Sequence, residues 1–281
     1  MIATVSKTKE ILNKYQLQAK KKFGQNFLID SNIVNKIVKT ANIDENTIVI
    51  EIGPGIGAMT ELLAKEAKKV FCFEIDSDMV EIITNEIINQ GINNIEIHEV
   101  DFLKVELSDY DLKSERVIVV SNLPYYITTP IIFKLLNEEV VSEIYVMVQD
   151  EVARRLVGLP GTKDYGSLSV MLKYLAESKY EFKVGRNCFL PAPNVDSGIV
   201  SIKRVKNDYK LKNEPKFLKF VQTIFEMRRK TLINNLLKSF SLSRSELEEK
   251  LTNINIDINC RAENLCLDEI VKVYQILGLD K

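Results

Sequence analysis

The sequence predicts an α/β fold, with a mostly parallel sheet covered by helices on both faces, followed by a small C-terminal all-α domain. From about residue 46 to 201, short β-rich runs alternate with stretches whose apolar residues recur at helical spacing. The strand candidates are almost continuously apolar, as in parallel sheets that are buried on both faces. From 215 to 279 the patterns are mainly helical, and a lysine-rich segment near 205–214 separates the two parts. We therefore expect one domain over residues 1–204 and a second over residues 205–281.

Each element follows from its apolar pattern and its boundary residues. The sheet region alternates strand and helix candidates in the order Thr47–Ile52, Ala58–Lys68, Val70–Ile75, Asp78–Gln90, Ile95–Val100, Val117–Ser121, Pro130–Leu136, Ile144–Val148 and Asp150–Val157. Next come a helix candidate and two short strand candidates that we expect at an antiparallel edge, Ser167–Glu177, Glu181–Val184 and Gly198–Arg204. The C-terminal helix candidates are Pro215–Phe240, Ser243–Leu251 and Asp268–Leu277. The last two begin with Ser and Asp, which favour N-cap positions.

Composition excludes several classes of protein. The chain has 281 residues, 46% hydrophobic and 27% charged, so it is neither disordered nor collagen-like. No apolar run approaches the roughly 18 residues of a membrane span, and no signal peptide is evident, so we expect a cytoplasmic protein without a membrane partner. The four cysteines form no CxxC pair, as is typical of reduced thiols. With a single histidine, a multi-histidine metal site is impossible, and we expect no metal.

Charge is distributed unevenly, although the formal net charge is only −1. Residues 1–41 carry eight basic and two acidic side chains, residues 42–151 carry seven and 22, and residues 152–281 carry 23 and 15. The flanks are therefore net +6 and +8, while the middle is net −15. Such asymmetry indicates a polyanionic partner held by the two flanks, although a basic run is also typical of a solvated face.

A glycine-rich turn follows the first strand candidate of the sheet region. The strand ends in Glu51, and Gly53, Gly55 and Gly57 lead into the next helix. Glycine lets the backbone pass close to a ligand where a Cβ atom would collide. Glu74 ends the next strand, where a carboxylate can accept hydrogen bonds from both hydroxyls of a ribose. The letters also fit G-x-G-x-x-A, so an NAD(P)-binding oxidoreductase is an alternative interpretation.

Three acidic residues favour a cationic ligand without phosphate. Glu51 would repel a pyrophosphate beside the glycine turn, and Pro54 stiffens that turn. Asp101 follows the third strand candidate, where it could accept a hydrogen bond from an adenine amino group. The carboxyl ends of parallel strands meet where open α/β sheets bind ligands, so we expect Glu51, Glu74 and Asp101 to lie together. S-adenosylmethionine has a ribose, an adenine and a sulfonium, and we favour it as the cofactor.

The fourth strand candidate runs into the corner Asn122-Leu123-Pro124-Tyr125. The amino nitrogen of adenine is a poor nucleophile because its lone pair is conjugated into the ring. We expect the side-chain carbonyl of Asn122 and the backbone carbonyl of Leu123 to accept its two N–H bonds, and Tyr125 to stack on the base. Pro124 would fix the backbone. Without the glycine turn upstream, the same letters would also fit a proline turn that closes a strand.

These residues lie in blocks through which the chain resembles the ribosomal RNA adenine dimethyltransferase family. The blocks are KKFGQNFLID (21–30), EIGPGIGAMT (51–60), FEID (73–76), SNLPYYITTP (121–130), FLPAPNVDS (189–197) and MRRKTLINNL (227–236). The resemblance is best to the branch that dimethylates two adjacent adenines near the 3′ end of 16S (small-subunit) rRNA. It implies a Rossmann-like class I methyltransferase domain, S-adenosylmethionine as cofactor and a role in small-subunit biogenesis.

The resemblance also implies roles for individual residues. The cofactor site would comprise Asn26, Leu28, Gly53, Gly55, Glu74, Asp101 and Asn122. Asn122 would also belong to the catalytic set, with Leu123, Pro124, Tyr125 and Phe189. Phe189 would form a second aromatic wall of the base pocket, opposite Tyr125. The basic N-terminal extension and the helical domain would hold 16S rRNA in the assembling small subunit, and we expect a monomer.

Two further interpretations and one departure belong to this resemblance. A large-subunit (23S) rRNA adenine N6-methyltransferase of the macrolide-resistance type shares the glycine turn and an N-[IL]-P-Y corner. A non-enzymatic assembly factor would keep the fold and the RNA contacts. Asp150 stands where we expect the family to carry a lysine, which removes a positive charge beside the presumed active-site face.

Overall fold

The structure is a computed structural model that describes residues 1–20, 23–206 and 208–280. Its strands are β1 (Phe27–Leu28), β2 (Ile48–Ile52), β3 (Lys69–Glu74), β4 (Ile95–Glu99), β5 (Val117–Asn122), β6 (Glu143–Gln149), β7 (Ala176–Val184), β8 (Phe189–Leu190) and β9 (Ser197–Arg204). Seven of these described strands form one sheet in the order β4-β3-β2-β5-β6-β9-β7, and β1 pairs with β8. The five neighbouring strands β4, β3, β2, β5 and β6 are parallel, and β9 runs antiparallel to β6. The predicted α/β fold with an antiparallel strand near one edge is confirmed.

Helices connect the strands and make up most of the C-terminal part. They are α1 (Val5–Lys14), α2 (Ser31–Ala41), α3 (Thr60–Glu66), α4 (Ser77–Glu86), α5 (Thr128–Asn137), α6 (Asp150–Leu156), α7 (Ser167–Leu175), α8 (Glu214–Ile224), α9 (Leu232–Ser239), α10 (Arg244–Asn253) and α11 (Leu267–Ile276). Among the described residues, no helix combines the length and apolar character that a bilayer crossing requires. Helices α1 and α2 were not predicted from the sequence, although Asp30 caps α2 by accepting a hydrogen bond from the amide of Asn32 (2.9 Å).

The central strands are buried on both faces, which explains their continuous apolar runs. Every residue of β2 is buried, and the same holds for all but the last residue of β5. Register brings the carboxyl ends of neighbouring strands together, since Ile52 lies opposite Phe73 and Glu74 lies opposite Glu99. Residues that follow β2, β3, β4 and β5 therefore share one edge of the sheet.

The chain divides into two compact units. The first comprises Met1–Ala153 and Lys179–Arg204, and the second comprises Arg154–Ser178 and Val205–Lys281. The expected domains, 1–204 and 205–281, differ from these units in the segment 154–178, whose aromatic side chains pack in the second unit. Tyr165 is buried there and donates a hydrogen bond to the carbonyl of Leu265 (2.8 Å).

The prediction of one helix over Pro215–Phe240 is wrong, because α8 and α9 are separate. The two helices are separated by a turn, and the side chain of Asn235, a residue of α9, stabilises this turn through a hydrogen bond. The Asn235 Oδ1 atom accepts a hydrogen bond from the amide of Met227 (3.0 Å). Thr231 then caps α9 by accepting a hydrogen bond from the amide of Asn234 (3.4 Å). A polar N-cap inside an amphipathic run thus begins a new helix.

The two C-terminal N-cap predictions have different outcomes. Ser243 caps α10 as predicted, and its amide donates to Glu246 in a capping box. Asp268 is not the N-cap of α11, because the helix begins one residue earlier and Cys266 takes that position. The amide of Cys266 donates to Glu269 (2.8 Å), so a glutamate in the first turn provides the cap that the sequence analysis assigned to Asp268.

Candidate active site

The shared edge of the sheet borders a cavity of about 320 Å³, within the size range of small-molecule sites. Its lining residues come from the segments 23–28, 51–59, 73–75, 100–103 and 122–127, all of which lie in the first compact unit. The glycine turn and the corner at Asn122–Tyr125 therefore face the same cavity. Every predicted site residue except Phe189 lines it.

The glycine turn requires glycine for two different reasons. Gly53 has a φ angle of +66° and lines the cavity, and a Cβ atom there would lie 3.7 Å from the ring of Pro124. Gly57 has a φ angle of +84°, and a Cβ atom there would lie 2.4 Å from Cδ1 of Ile87. Gly53 thus brings the backbone close to the corner, whereas Gly57 lets the turn pack against the end of α4.

Glu74 is buried at the end of β3 and is surrounded by backbone donors. Its Oε1 atom accepts hydrogen bonds from the amides of Ile75 (2.8 Å) and Asp76 (3.0 Å), and its Oε2 atom accepts one from Gly55 (3.1 Å). Burial raises the pKa of the Glu74 carboxyl, and the three amide bonds oppose that rise. A carboxylate has about four acceptor positions, so these bonds fix Glu74 in the wall and leave capacity for a ligand hydroxyl.

Glu51 lies deeper in the cavity wall, with 1% of its surface exposed. Its Oε2 atom accepts a hydrogen bond from the Thr60 hydroxyl (2.6 Å) and lies 3.8 Å from Sγ of Cys72. Burial raises the pKa of Glu51 to about 8, and the Thr60 hydroxyl opposes that rise. Among the described residues that line the cavity, none is lysine or arginine. A wall with acidic groups and no basic side chain offers no positive charge to a phosphate, so it suits a cationic ligand better than a phosphate-bearing one.

The remaining predicted cofactor residues also line the cavity. Asp101 begins a short 3-10 turn by accepting a hydrogen bond from the amide of Leu103 (3.1 Å). Asn26 donates from Nδ2 to the carbonyl of Gly24 (2.8 Å), which fixes the loop before β1. Leu28 is buried in β1. Asp101 and Asn26 thus have local structural roles as well as positions on the cavity.

The corner is built so that its acceptor atoms are held in place. Asn122 ends β5, and its Nδ2 atom lies 3.5 Å from the carbonyl oxygen of Asn26, which leaves Oδ1 to accept from a ligand. The amide of Leu123 donates to the carbonyl of Met147 (3.1 Å), so the backbone stays in register with β6 beyond the last residue of the strand. Pro124 packs beside Gly53. The corner is therefore rigidly joined both to the sheet and to the glycine turn.

Tyr125 turns inward from this corner. Its hydroxyl lies 2.8 Å from the hydroxyl of Ser197, a fully buried residue at the start of β9. Burial raises the pKa of Tyr125, and the contact with Ser197 opposes that rise. Ser197, the last residue of the block 189–197, therefore contacts a residue that lines the cavity.

Phe189 does not line the cavity. It is buried in β8, where it lies opposite Leu28 of β1. Its role as a second aromatic wall stays a prediction, and the cavity lining does not support it. The paired strands β1 and β8 are two residues long, and such short pairs carry no periodic signal that a sequence could reveal.

Two features of the site were not predicted. Asp76, of which 2% is exposed, accepts hydrogen bonds from the ammonium of Lys20 (2.6 Å) and from Nε2 of Gln25 (2.7 Å), and this ties the N-terminal segment to the cavity wall. Tyr126 lines the cavity mouth with 58% of its surface exposed. The sequence signals that could have identified these two residues are the aspartate of the FEID block and the second tyrosine of NLPYY. Lys21 and Lys22, from the block at 21–30, lie outside the described residues.

Asp150, the departure from the expected family pattern, begins α6 and does not line the cavity. Its carboxylate accepts a hydrogen bond from the Tyr180 hydroxyl (2.6 Å), and its amide donates to the carbonyl of Asp196 (3.0 Å). The aspartate thus joins neighbouring parts of the first unit, and a lysine could not accept the Tyr180 proton in its place.

Comparisons with known proteins identify the family to which the chain is similar. The model of a family described as ribosomal RNA adenine dimethylase matches residues 16–278. Ribosomal RNA small subunit methyltransferase A from Bacillus cereus (strain AH187) and from Bacillus anthracis (strain A0248) are each 44% identical over 289 aligned positions, covering 100% of this chain and 98% of the relative.

Two solved structures are also similar. A dimethyladenosine transferase from Plasmodium falciparum is 26% identical with a TM-score of 0.74, covering 89% of this chain and 97% of its own. The 23S rRNA methyltransferase ErmE is 26% identical with a TM-score of 0.66, and the match covers 90% of this chain and 100% of the ErmE chain. The similarity therefore extends over both compact units.

Proposed function

The chain belongs to the ribosomal RNA adenine dimethylase family, and from this premise we propose that it transfers methyl groups from S-adenosylmethionine to N6 of two adjacent adenines near the 3′ end of small-subunit rRNA. The product would be N6,N6-dimethyladenosine. We expect the enzyme to act in small-subunit biogenesis, as a monomer in the cytoplasm.

One observation carries the proposal. The acidic residues at the shared edge of the sheet (Glu51, Glu74 and Asp101) and the corner at Asn122–Tyr125 line the same cavity. None of the described residues that line this cavity is lysine or arginine. That environment suits a sulfonium donor and opposes the pyrophosphate of NAD(P). The corner at Asn122 then supplies acceptors for an amino group within the same space.

The residues present fit the cofactor. Glu74 retains acceptor capacity for a ribose hydroxyl, and Asp101, which lines the same cavity, would accept from the adenine amino group. The glycine turn brings its backbone to the cavity without a Cβ atom. When bound, S-adenosylmethionine supplies a methyl carbon that is activated by the adjacent sulfonium.

The chain's own residues would orient the acceptor. Oδ1 of Asn122 and the carbonyl of Leu123 accept the two N–H bonds of the adenine amine and turn its lone pair toward the methyl carbon. Tyr125 stacks on the base, which must first leave its RNA stack. With the cofactor bound, methyl transfer would exchange its sulfur–carbon bond for a nitrogen–carbon bond on the base, and the amine would release one proton. A second round needs a pocket that accepts a monomethylated amine.

The basic flanks supply the RNA contacts in this proposal. Residues 1–41 are net +6 and residues 152–281 are net +8, so both can neutralise phosphates. Contacts of this kind weaken as salt rises and read RNA shape more than sequence. Selection of the target then depends on the rRNA conformation in the assembling subunit.

Transfer of labelled methyl groups to isolated ribosomal subunits tests the proposal. We expect label in undermethylated small subunits, recovered as N6,N6-dimethyladenosine after digestion to nucleosides. Label in large subunits alone would instead support a 23S rRNA methyltransferase, which is the activity that the name of ErmE states. A product that stops at monomethyladenosine would contradict the dimethylation step.

A further inference from the structure

Tyr126 is the outward neighbour of Tyr125, and no step described above uses it. It lines the cavity mouth, and 58% of its surface is exposed. We propose that Tyr126 stacks on the RNA base next to the target adenine, so that the enzyme selects an adenine whose neighbour is also unstacked. This inference rests on the proposed function and names a substrate contact for the same site.

Hydrogen bonds hold the turn that carries Tyr126, so its side chain starts from a defined place on the backbone. The residue lies in the turn between β5 and α5, and the carbonyl of Pro124 accepts hydrogen bonds from the amide of Ile127 (3.2 Å) and the hydroxyl of Thr128 (3.2 Å). These bonds join the residues that precede and follow Tyr126 in the chain and so close the turn around it. A preorganised aromatic side chain loses little conformational entropy when a partner binds.

The loop before β1 lies beside the ring. A Cβ atom added at Gly24 would lie 3.8 Å from Cδ1 of Tyr126, so Gly24 is a neighbour of the ring. The carbonyl of Gly24 accepts a hydrogen bond from Asn26 (2.8 Å), which holds the loop in place. Gly24 thus borders one side of the ring, while 58% of the surface of Tyr126 is exposed.

Tyr125 and Tyr126 are consecutive residues that both line the cavity and differ in burial. Their Cα atoms are about 3.8 Å apart, as in any trans peptide. The Tyr125 hydroxyl contacts buried Ser197, whereas Tyr126 is exposed. Two adjacent aromatic rings, one inside the cavity and one at its mouth, match two consecutive unstacked bases, because RNA-binding proteins hold such bases on aromatic side chains. A substrate with two adjacent adenines would place one in the cavity and the other on Tyr126.

A substitution series on undermethylated small subunits tests the stacking role. We expect Tyr126→Ala to raise the KM for subunits about 5-fold or more. The kcat and the Kd for S-adenosylmethionine should change less than twofold. Tyr126→Phe and Tyr126→Trp should restore the KM, whereas Tyr126→Leu should not, because leucine has no aromatic face. Val140→Ala removes another exposed apolar side chain that does not line the cavity, and it should behave as wild type.

A direct measurement separates this inference from the proposed function. The chain has no tryptophan, so Tyr126→Trp introduces a single tryptophan, whose fluorescence can be excited selectively, at the proposed contact. A single-stranded oligoribonucleotide with two adjacent adenines should quench its fluorescence. An unchanged KM in Tyr126→Ala, or a raised Kd for S-adenosylmethionine with normal KM for subunits, would overturn the stacking role. Absence of methyl transfer by the wild-type enzyme would instead refute the proposed function, while the quenching would still report on stacking.

Discussion

The buried carboxyl of Glu51 makes the stability of the protein depend on pH. Glu51→Gln keeps an oxygen that can accept the Thr60 hydroxyl, but it removes the ionisable group. In the folded chain the pKa of Glu51 is about 8, against an ordinary value of 4.5. Between these two values the folded state binds more protons than the unfolded state, so wild-type stability falls as pH rises.

The magnitude follows from the two pKa values. Each pKa unit corresponds to about 1.4 kcal/mol, so between pH 5 and pH 9 the wild type loses about 4 kcal/mol that Glu51→Gln does not lose. Protonated Glu51 contributes its full stability below pH 4.5, and the contribution is gone once pH has passed 8. Near pH 5 the two proteins should therefore be similar in stability, and at pH 9 the variant should be the more stable.

Urea denaturation of both proteins at pH 5, 7 and 9 measures this difference. Comparing variant with wild type at each pH cancels the titration of groups that do not interact with Glu51. Glu66→Gln, on the exposed surface of α3, provides a baseline for a single glutamate-to-glutamine change. A difference between Glu51→Gln and wild type that stays constant from pH 5 to pH 9 would refute the assignment of a buried, proton-retaining carboxyl.

Three further predictions concern the turn, the N-terminal segment and the corner. Gly57→Ala should lower the free energy of unfolding by about 1–3 kcal/mol, seen as a lower Tm, because its Cβ atom would meet Ile87 and its φ angle is positive; an unchanged Tm would contradict this packing. Lys20→Met should raise the Kd for S-adenosylmethionine about 5-fold by releasing Asp76, and calorimetry at low and high salt should show the wild-type advantage shrinking as salt rises. Asn122→Ala should abolish methyl transfer while RNA affinity in a filter-binding assay stays within about twofold; an equal loss of RNA binding would contradict a role in orienting the amine.

The central strands could be predicted closely because their signal is local. The candidate Val117–Ser121 becomes β5 at Val117–Asn122, since a strand buried on both faces must be apolar throughout. The position of the site at the carboxyl ends of the strands could be predicted by the same reasoning, because parallel register brings Glu74 and Asp101 to one edge of the sheet. These conclusions needed only strand ends and the topology of an open α/β sheet.

Features that depend on distant contacts could not be predicted in the same way. The break between α8 and α9 depends on a hydrogen bond from Met227 to Asn235, which no periodicity reveals. The placement of Phe189 depends on the pairing of β1 with β8, two short strands far apart in the chain. The contact between Lys20 and Asp76 likewise joins residues 56 positions apart. In each case the deciding partner lies outside the local sequence window.

A crystal structure of the protein with a non-transferable analogue of S-adenosylmethionine tests the central claim most directly. The account predicts ribose hydroxyls within hydrogen-bonding distance of Glu74, with the position of the transferable methyl facing Oδ1 of Asn122. An analogue bound outside the cavity, or bound with its ribose away from Glu74, would contradict it.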